Sequence, residues 1–486
     1  MKKIYTILIA LMFVVTISKA QSGITWSAPI TVAIAGYQNH HPRITLDAAG
    51  NPLVLWGDNN SGKAYFTRWN GSMFVTPMAV NPGTHDVMAE TWAGPDIASH
   101  GDTVYMVYKR EPEGSDTNHI FMVHSYNGGM TFSMPVQVDF NDSLTRFPTV
   151  TTNSSGNPLV GFMRFNSSFG NARWTVAKSN DYGMTFSPSV LASGWSGGYI
   201  CDCCPGAIIS SGNNVAMSYR DANANYRNTW AGISTNGGSA FTNGMRVDQN
   251  NWMLMSCPSS GPDGFIIGDT LYSAFMSGAS GMDRCYYSKS SVSNLTAGPT
   301  VALTGSISGL TLQNYPRMAN NGNAAAIVWK QTVSNNDQLP VLFTNNIANG
   351  FPTMYDTVDL NNITNADVVL GINTIHVVWE DDGAGVVRYR KGTFNAVITN
   401  ASDNLSSNLS CVVYPNPANT SVNFFINSKT DNQELLITDV AGREVHQQLI
   451  NGINTSIDVS RWSNGIYFYQ LKNNKEAYQG KFSVEK

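Results

Sequence analysis

Charged residues are scarce in this chain of 486 residues. They make up 13% of the sequence, about half of the ~25% that is usual for soluble domains. Hydrophobic residues nonetheless account for 42% and aromatic residues for 11%, whereas disordered chains lack the aromatic and β-branched residues that build a core. The composition therefore excludes a long disordered polymer and is typical of turn-rich, all-β extracellular proteins.

Basic runs are also missing. The formal net charge is −4, and without the three lysines of the leader described below (Lys2, Lys3 and Lys19) it is −7. An acidic protein without a basic patch lacks the positive surface that holds a phosphate backbone. The sequence therefore predicts no nucleic-acid partner.

Long apolar runs are confined to the start of the chain. Lys2 and Lys3 precede an apolar run at positions 4–15, and Ala20 precedes Gln21, which is the pattern of a secretory signal over residues 1–20. After that point no run approaches the ~20 apolar residues that span a bilayer. We therefore expect an exported protein without a transmembrane segment.

Internal repeats carry most of the information about the fold. Seven segments share one pattern, which is a Pro or Ala, a short apolar strand, a tight turn and a second apolar strand that ends in an aromatic residue. They are residues 42–56, 95–108, 148–162, 205–219, 262–275, 316–329 and 366–379. The terminal aromatic residues are 50 to 57 positions apart, close to the length of a propeller blade of four short strands.

The repeats predict an all-β fold, a seven-bladed β-propeller over residues 21–396. The seventh repeat reaches only Phe394 and lacks a fourth strand, whereas residues 24–32 resemble the fourth strands of other repeats but precede the first one. We therefore expect residues 24–32 to pair with the third strand of the last blade. This pairing would remove the exposed edge that an open sheet leaves.

Three hairpins carry a recognisable motif. Residues 179–186 (SNDYGMTF) match the Asp-box of sialidase and BNR-repeat propellers, and residues 125–132 and 234–241 match it with Asn for Asp. The resemblance implies a sialidase-like propeller, for which six blades are the alternative to seven. Asn127, Asp181 and Asn236 are expected to cap backbone N–H groups of the turn, on the face away from a ligand.

The C-terminal part has a different composition. Residues 397–410 are rich in Asn, Ser and Thr and are typical of a linker. The order of motifs after it, at positions 413–418, 437–445, 464–468 and 481–486, resembles the type A sorting domain of the type IX secretion system. The resemblance implies that residues 411–486 form a small β-sandwich that engages this machinery. It places the protein on the surface of a Bacteroidetes-type bacterium or in its medium, after passage through the periplasm.

A candidate ligand site lies where the loops before the first strands and after the second strands emerge on one face of a propeller. Seven residues on these loops are candidates for ligand binding: His41, Trp92, Arg164, Arg220, Trp252, Tyr315 and Glu380. Loops are also where polar residues ordinarily lie. For each of these residues a solvated loop position is therefore the alternative.

Four of the six cysteines fall on two neighbouring loops of this face. Cys201, Cys203 and Cys204 precede the fourth repeat, and Cys257 precedes the fifth, so we expect their sulfurs within bonding distance. Export favours two disulfides, with a vicinal Cys203–Cys204 bond as one pairing. A Cu or Zn site at the four sulfurs, with Met253, Met255 and His41 nearby, is the alternative.

The remaining two cysteines are expected to stand apart from that cluster. Cys285 is predicted to stay an unpaired thiol, and Cys411, beyond the linker, to take no part. The loop pattern Cys-x-Cys-Cys-Pro followed by Cys-Pro and Gly-Pro resembles a subgroup of secreted sialidase-like propellers. No cofactor other than such a metal is expected.

The sialidase resemblance also implies an active site with three arginines that clamp a carboxylate, a Tyr–Glu nucleophile pair and an Asp as acid/base. The Arg-Ile-Pro motif of these enzymes is absent, since the first repeat has Pro-Arg-Ile at 42–44. The candidates for these roles are Arg43, Arg164, Arg220, Arg317, Asp58 and Asp221.

Three functions stay open at this point. The first is a propeller that binds a glycan or other surface polymer at its loop face. The second is an exo-glycosidase acting on acidic sugars, and the third is a metal-binding or redox propeller that uses the cysteine cluster. Whether the protein is an enzyme depends on whether ionisable groups converge in one pocket.

Overall fold

The computed structural model describes residues 23–33, 38–113, 118–140, 144–360, 362–395, 411–426, 433–450, 454–472 and 477–486. The expected signal at 1–20 and the linker at 397–410 lie outside the described residues. The chain divides into two compact units, with the division between Val397 and Ile398. In the described ranges, no helix has the length and apolar character that crossing a membrane requires.

The described part of the first unit consists of seven small antiparallel sheets that follow one another along the chain. Their strands are Asn39–Leu46, Pro52–Asp58, Lys63–Arg68 and Met78–Ala79 in sheet 1; Asp86–Val87, Asp96–His100, Thr103–Glu111, Ile120–Ser125 and Val136–Gln137 in sheet 2; Leu144–Thr152, Pro158–Phe165, Arg173–Lys178 and Val190–Leu191 in sheet 3; Ala207–Ser211, Asn214–Arg220, Thr229–Ser234 and Asn243–Arg246 in sheet 4; Asp263–Ile267, Thr270–Ser277, Arg284–Ser291, Thr296–Ala297 and Val301–Ala302 in sheet 5; Leu310–Asn321, Ala324–Val333, Asn336–Thr344 and Asp356–Asp359 in sheet 6; and Ile363–Leu370, Thr374–Asp381 and Val386–Thr393 in sheet 7. Two short 3-10 turns lie at Asn223–Asn225 and Ile347–Asn349.

Sheet 7 is completed by the start of the described chain. Strands Thr25–Trp26 and Ile30–Ala33 pair antiparallel with strand Val386–Thr393, with Thr25 opposite Thr393 and Ile30 opposite Tyr389. The expected pairing of residues 24–32 with the third strand of the last repeat is therefore confirmed. Ile24 is only 2% exposed and packs into the core of this sheet.

Short polar turns join the first and second strands. In sheet 1 the Asp47 carboxylate accepts hydrogen bonds from the backbone N–H groups of Ala49 and Asn51, at 2.9 and 2.8 Å. Gly50 completes this turn with a φ of 79°, which glycine adopts at little cost. Local turn chemistry thus sets the hairpins that the repeat pattern predicts.

In sheet 2 the strand equivalent to the first strand of the other sheets is Asp96–His100, and Thr103–Glu111 is the second. The first strands of the seven sheets contact one another in chain order, and the first strand of sheet 7 contacts that of sheet 1. Carboxylates on the first strands of sheets 2, 5 and 7 each accept a backbone N–H of the next sheet. Asp96 accepts from Val150 at 3.0 Å and Asp263 from Met318 at 2.7 Å. The repeat aromatic at the end of each second strand is buried in the core.

The second unit has two antiparallel sheets around one core. One contains Cys411–Tyr414, Ser421–Ile426 and Asn454–Asp458, and the other contains Gln433–Asp439, Glu444–Ile450, Gly465–Lys472 and Ala477–Val484. Val422 and Phe424 of the first sheet pack with Leu435, Leu471 and Phe482 of the second. Two sheets that share a core make this unit a small β-sandwich.

Candidate functional site

The three motif hairpins lie at the end of their sheets where the first strands end. In sheet 2, for example, the turn that follows the first strand pairs His100 with Thr103, and the hairpin begins at Ser125 opposite Val104. In all three hairpins a side-chain oxygen accepts the backbone N–H four residues later, at 2.9–3.0 Å. The accepting residues are Asn127, Asp181 and Asn236. These side chains hold a turn, which is the structural role expected for them.

At the opposite end of the sheets, where the first strands begin, a central cavity is lined by residues in or directly before the first strand of each of the seven sheets. Its free space is about 40 Å³, which is room for water, whose share of liquid volume is about 30 Å³. Of the candidate ligand residues, His41, Trp92 and Tyr315 line this cavity, and Phe147 joins them.

Three of the lining residues have unusual backbone conformations. His41, Phe147 and Tyr315 have φ values of 55°, 56° and 51°, and each precedes a proline at a β-bulge. A positive φ in a bulky residue costs free energy. The surrounding packing therefore fixes these three side chains toward the cavity at the expense of local strain.

Two candidate arginines also line the cavity, but their guanidinium groups are engaged within the protein. Nε of Arg317 lies 3.1 Å from Asp367 and 3.4 Å from Asp263. Arg43 is 5% exposed and donates to Asn365 at 3.0 Å and to Nε2 of His41 at 2.6 Å. Both cations therefore link the first strands of different sheets.

His41 is a neutral acceptor at this position. Burial, and then the positive charges of Arg43 and Arg317, hold the pKa of His41 well below its ordinary value. Because Arg43 can only donate, Nε2 of His41 accepts and carries no proton. Its lone pair is therefore already used.

The structure does not bring the four candidate arginines together. Arg220 is fully buried and donates to the backbone carbonyls of Ser260, Arg227 and Met276 at 2.7–3.1 Å. Arg164 lies on the second strand of sheet 3, opposite Arg173, and does not line the central cavity.

Three other candidates, Asp58, Asp221 and Trp252, are buried within the protein. Asp58 is buried and accepts from the backbone of Asn60 at 3.0 Å in a turn. Asp221 is buried as well, and burial raises its pKa. Trp252 is 7% exposed and packs under the guanidinium of Arg220 at 5.4 Å.

Glu380 forms a buried acid–base pair with His40. Its Oε1 lies 2.6 Å from Nδ1 of His40, and its Oε2 accepts the backbone N–H of His41 at 3.2 Å. Burial raises the pKa of Glu380 to about 7, and the hydrogen bond to Glu380 raises the pKa of His40. Burial, and then the Glu380 carboxylate, raise the pKa of Tyr315. Both groups therefore keep their protons to a higher pH than they would in water.

A larger pocket opens beside the central cavity and shares Trp92 and Phe147 with it. This rim pocket has about 310 Å³ of free space, and its lining residues are Met88, Glu90, Trp92, Glu111, Glu113, Arg146, Phe147, Cys203 and Ser259. Glu111 and Glu113 were not among the sequence candidates. The signal that could have found them is their position at the end of strand Thr103–Glu111, where it leads into the expected loop face.

The charges of the rim pocket are fixed by ion pairs. Lys109 is 1% exposed and lies 2.8 Å from Glu111 and 3.3 Å from Glu113. Arg146 donates to Glu113 at 2.6 Å and lies over the ring of Phe169 at 4.7 Å. With Glu90, three carboxylates face two cations, so the pocket has a small negative charge.

The four clustered cysteines meet beside this pocket. Cys203 and Cys257 form a disulfide with a Cα–Cα distance of 6.4 Å, and the sulfurs of Cys201 and Cys204 are 2.8 Å apart. All four sulfurs lie within 4.8 Å of one another, which confirms the expected proximity of the two loops. The vicinal Cys203–Cys204 pairing was wrong, because Cys203 is bonded to Cys257, and the cluster has one disulfide where two were expected. Cys285 is a buried thiol outside the cluster, as expected. Cys411 lies in the second unit.

The close approach of the two loops depends on a glycine. A Cβ atom at Gly261 would lie 2.5 Å from the carbonyl oxygen of Pro205, so no larger residue fits there. Arg227 adds a hydrogen bond to the carbonyl of Ser256 at 3.3 Å. The Gly-Pro and Cys-Pro patterns of the sequence therefore serve to join sheets 4 and 5.

The donor set fits a soft metal only in part. Four converging sulfurs are what Cu(I) or Zn requires, but the disulfide uses two of them and leaves Cys201 and Cys204. His41 does not complete the set, because its Nε2 accepts from Arg43.

Residues 412–485 match the family model described as the secretion system C-terminal sorting domain. The second unit is a secretion sorting domain. It indicates export to the cell surface or into the medium of a Bacteroidetes-type bacterium, and engagement with the secretion machinery.

The whole chain was compared with known proteins as well. No curated protein sequence matches the chain. Among solved structures, similar folds include a protein of unknown function from Dyadobacter fermentans (10% identity, 77% of this chain and 100% of that chain, TM-score 0.43). Another is a polysaccharide lyase described as ulvanlyase, with 11% identity over 76% of this chain and 94% of that chain and a TM-score of 0.46. A third is an α-L-arabinofuranosidase from Fusarium graminearum, with 10% identity over 66% of this chain and 98% of that chain and a TM-score of 0.45.

Proposed function

We propose that residues 23–395 form a seven-bladed β-propeller that binds a neutral glycan or glycan-like surface polymer in the rim pocket. The seven sheets, the contacts between their first strands and the completion of sheet 7 by the N-terminal strands support the propeller architecture. The three hairpins at Asn127, Asp181 and Asn236 are then its Asp-box turns. The sorting domain delivers this propeller to the outside, where such polymers occur.

The observation that carries the binding proposal is an aromatic ring beside fixed carboxylates. Trp92 is partly buried and lines the rim pocket together with Glu90 and Glu111. An aromatic face accommodates the apolar face of a sugar ring, and carboxylate oxygens accept hydrogen bonds from its hydroxyl groups. Because Lys109 fixes Glu111 and Glu113, little side-chain entropy is lost on binding.

The charges favour a neutral sugar over an acidic one. A uronate or sialate would bring a carboxylate to a pocket with three carboxylates and two cations, both of which are already paired. Arg43 and Arg317, the arginines nearest to the central cavity, are engaged by Asn365, Asp263 and Asp367. This arrangement counts against the acidic-sugar exo-glycosidase.

The test is calorimetric titration of the full-length exported protein with neutral oligosaccharides and with uronate-containing ones. We expect binding of neutral oligosaccharides that Trp92→Ala weakens at least tenfold and Trp92→Phe largely retains. Tyr126→Ala is the matched control, because Tyr126 is 48% exposed on the hairpin end of sheet 2. Thermal unfolding of each variant checks that it folds.

Two results would overturn the proposal. One is equal affinity of the Trp92→Ala variant and the unaltered protein while both are folded. The other is a preference for uronate-containing oligosaccharides that depends on Arg43 or Arg317.

A further inference from the structure

The cysteine cluster contains an intact disulfide next to two thiols. Sγ of Cys201 lies 3.5 Å from Sγ of Cys203, which is bonded to Cys257, and 2.8 Å from Sγ of Cys204. Cys201 and Cys204 are buried, whereas Cys257 is exposed. A buried dithiol thus lies within reach of a disulfide whose other half, Cys257, is an exposed residue.

We propose that this cluster is a thiol–disulfide exchange site, in which Cys201 attacks Cys203 and releases Cys257 as a surface thiolate. The Cys201–Cys203 bond forms as the Cys203–Cys257 bond breaks, and the electron pair of that bond stays on the Cys257 sulfur. The proton of Cys201 leaves to solvent before the attack. The internal step keeps the number of disulfides constant and requires no oxidant.

The released Cys257 thiolate is the nucleophile that reacts with an external partner. It attacks an accessible disulfide R–S–S–R, forms a mixed disulfide with one half and expels the other half as RS⁻. The substrate class is therefore an external disulfide, small or carried by a protein. Cys204, 2.8 Å from Cys201, is placed to attack the Cys201 sulfur, so that the Cys201–Cys204 bond forms, the Cys201–Cys203 bond breaks and Cys203 leaves as a thiolate. The Cys203 thiolate then displaces the second RS⁻ from Cys257 and re-forms the Cys203–Cys257 bond. The full cycle oxidises Cys201 and Cys204 to a disulfide and reduces one R–S–S–R to two thiols.

The surroundings favour a reactive thiolate at Cys201. The hydrogen bond from Cys204, together with the positive charge of Arg220, lowers the pKa of Cys201 to about 7 although burial opposes it. Burial holds the pKa of Cys204 well above its ordinary value. One member of the pair is thus the nucleophile and the other a protonated thiol, which is the division of roles that exchange requires.

Structure also explains why the exchange stays local. Arg220 holds the carbonyls of Ser260 and Met276, and Gly261 packs against Pro205. The two loops are therefore fixed at their bases and cannot separate without breaking these contacts. The sulfurs change partners within a space of 4.8 Å.

The test is alkylation of the full-length protein, kept free of reductant, with iodoacetamide between pH 6 and 8, followed by peptide mass spectrometry. We expect alkylated Cys257 together with a Cys201–Cys203 cross-link, and labelling that rises across this range as Cys201 ionises. Cys201→Ser should reduce labelling of Cys257 at least tenfold. Cys204→Ser keeps the attacking sulfur of Cys201 and should therefore retain the labelling of Cys257. Oxidised glutathione as the external disulfide should add one glutathionyl group at Cys257.

Cys285→Ser is the matched control, because Cys285 is a buried thiol outside the cluster; it should leave the labelling pattern unchanged. The proposal is overturned if alkylation occurs at Cys201 and Cys204 while Cys257 stays bonded, or if Cys257 is labelled equally in the Cys201→Ser variant. It is equally overturned if the untreated protein contains two disulfides and no reactive thiol in the cluster, or if metal analysis finds stoichiometric copper or zinc there.

Discussion

Nε of Arg317 in sheet 6 lies 3.1 Å from Oδ1 of Asp367 in sheet 7. The other oxygen of Asp367 accepts the backbone N–H of Ile44 in sheet 1 at 3.0 Å, so this one ion pair links three sheets across the place where the last repeat meets the first. Both side chains are largely buried. Ion pairs usually lie at the protein surface, whereas the Arg317–Asp367 pair lies among the first strands at the centre of the first unit.

Replacing Arg317 should destabilise the first unit strongly. Arg317→Met leaves the carboxylates of Asp263 and Asp367 buried without their cation, which typically costs ~3–5 kcal/mol. Urea unfolding monitored by tryptophan fluorescence measures the change. Lys391→Met removes a positive charge from an exposed position and should change the free energy of unfolding by less than ~0.5 kcal/mol. Equal effects of the two variants would show that Arg317 is not an internal counterion.

The His40–Glu380 pair should make stability fall as the pH rises. The pKa of Glu380 is raised to about 7 and the pKa of His40 is also raised, so the folded protein binds more protons than the unfolded chain. The stabilisation is present below the ordinary pKa of Glu380 and is lost between about pH 4.5 and 7, as each pKa unit corresponds to ~1.4 kcal/mol. The unfolding temperature, measured from pH 5 to 8, should fall less in Glu380→Gln than in the unaltered protein. Parallel curves would contradict this.

The N-terminal strand should contribute to the core of sheet 7. Ile24 is 2% exposed, and its replacement by alanine should cost ~2–5 kcal/mol. Ile30 belongs to the same N-terminal segment but is 38% exposed, so Ile30→Ala is the matched control and should cost less than ~1 kcal/mol. Chemical unfolding of both variants makes the comparison. A neutral Ile24→Ala would mean that residues 24–32 do not complete the sheet in solution.

The three motif hairpins should tolerate Asn but not Ala at their capping position. Asp181 accepts from the backbone N–H of Thr185 at 2.9 Å and from the hydroxyl of Ser179 at 2.7 Å. Asp181→Ala should therefore lower the free energy of unfolding by ~1 kcal/mol. Asp181→Asn should be nearly neutral, because Asn127 and Asn236 occupy the same position in the other hairpins. Thermal unfolding distinguishes them, and a large cost of the Asn variant would refute the shared role.

The second unit should be needed for export but not for folding of the first. The two units are separate in their internal contacts, and residues 412–485 match the sorting domain. Deletion of residues 411–486 should leave a folded first unit that accumulates in the periplasm. Cell fractionation and immunodetection measure its location, and protease resistance reports its folding. Normal amounts of the truncated protein at the surface or in the medium would contradict the assignment.

Much of the fold could be predicted because its signals are local. Each repeat carries its own turn residues and apolar alternation, such as Asp47 and Gly50 before strand Pro52–Asp58. Residues 24–32 could be assigned to sheet 7 because they resemble a fourth strand and the seventh repeat lacks a fourth strand. These features depend on residues a few positions apart, so a single sequence contains them in full.

The candidate site could be predicted only in part. The gathering of Cys201, Cys203, Cys204 and Cys257 follows from their equivalent places in adjacent repeats, since a repeat converts a sequence offset into a spatial neighbour. The pairing among them did not follow, because sulfurs this close differ only in loop geometry. Glu111 and Glu113 were missed for a related reason. Their importance comes from Lys109 and Arg146, which hold them in one pocket.

The sequence by itself determined the all-β repeat architecture, the strand that completes the last sheet and the C-terminal sorting domain. Only the tertiary structure decided what the charged residues do. From the sequence, Arg43 and Arg317 were candidates for binding the carboxylate of a ligand. In the structure, an amide and carboxylates from other sheets engage them at the centre. The physical reason is that an ionic partner can be hundreds of residues away in sequence, and burial makes its presence or absence worth several kcal/mol.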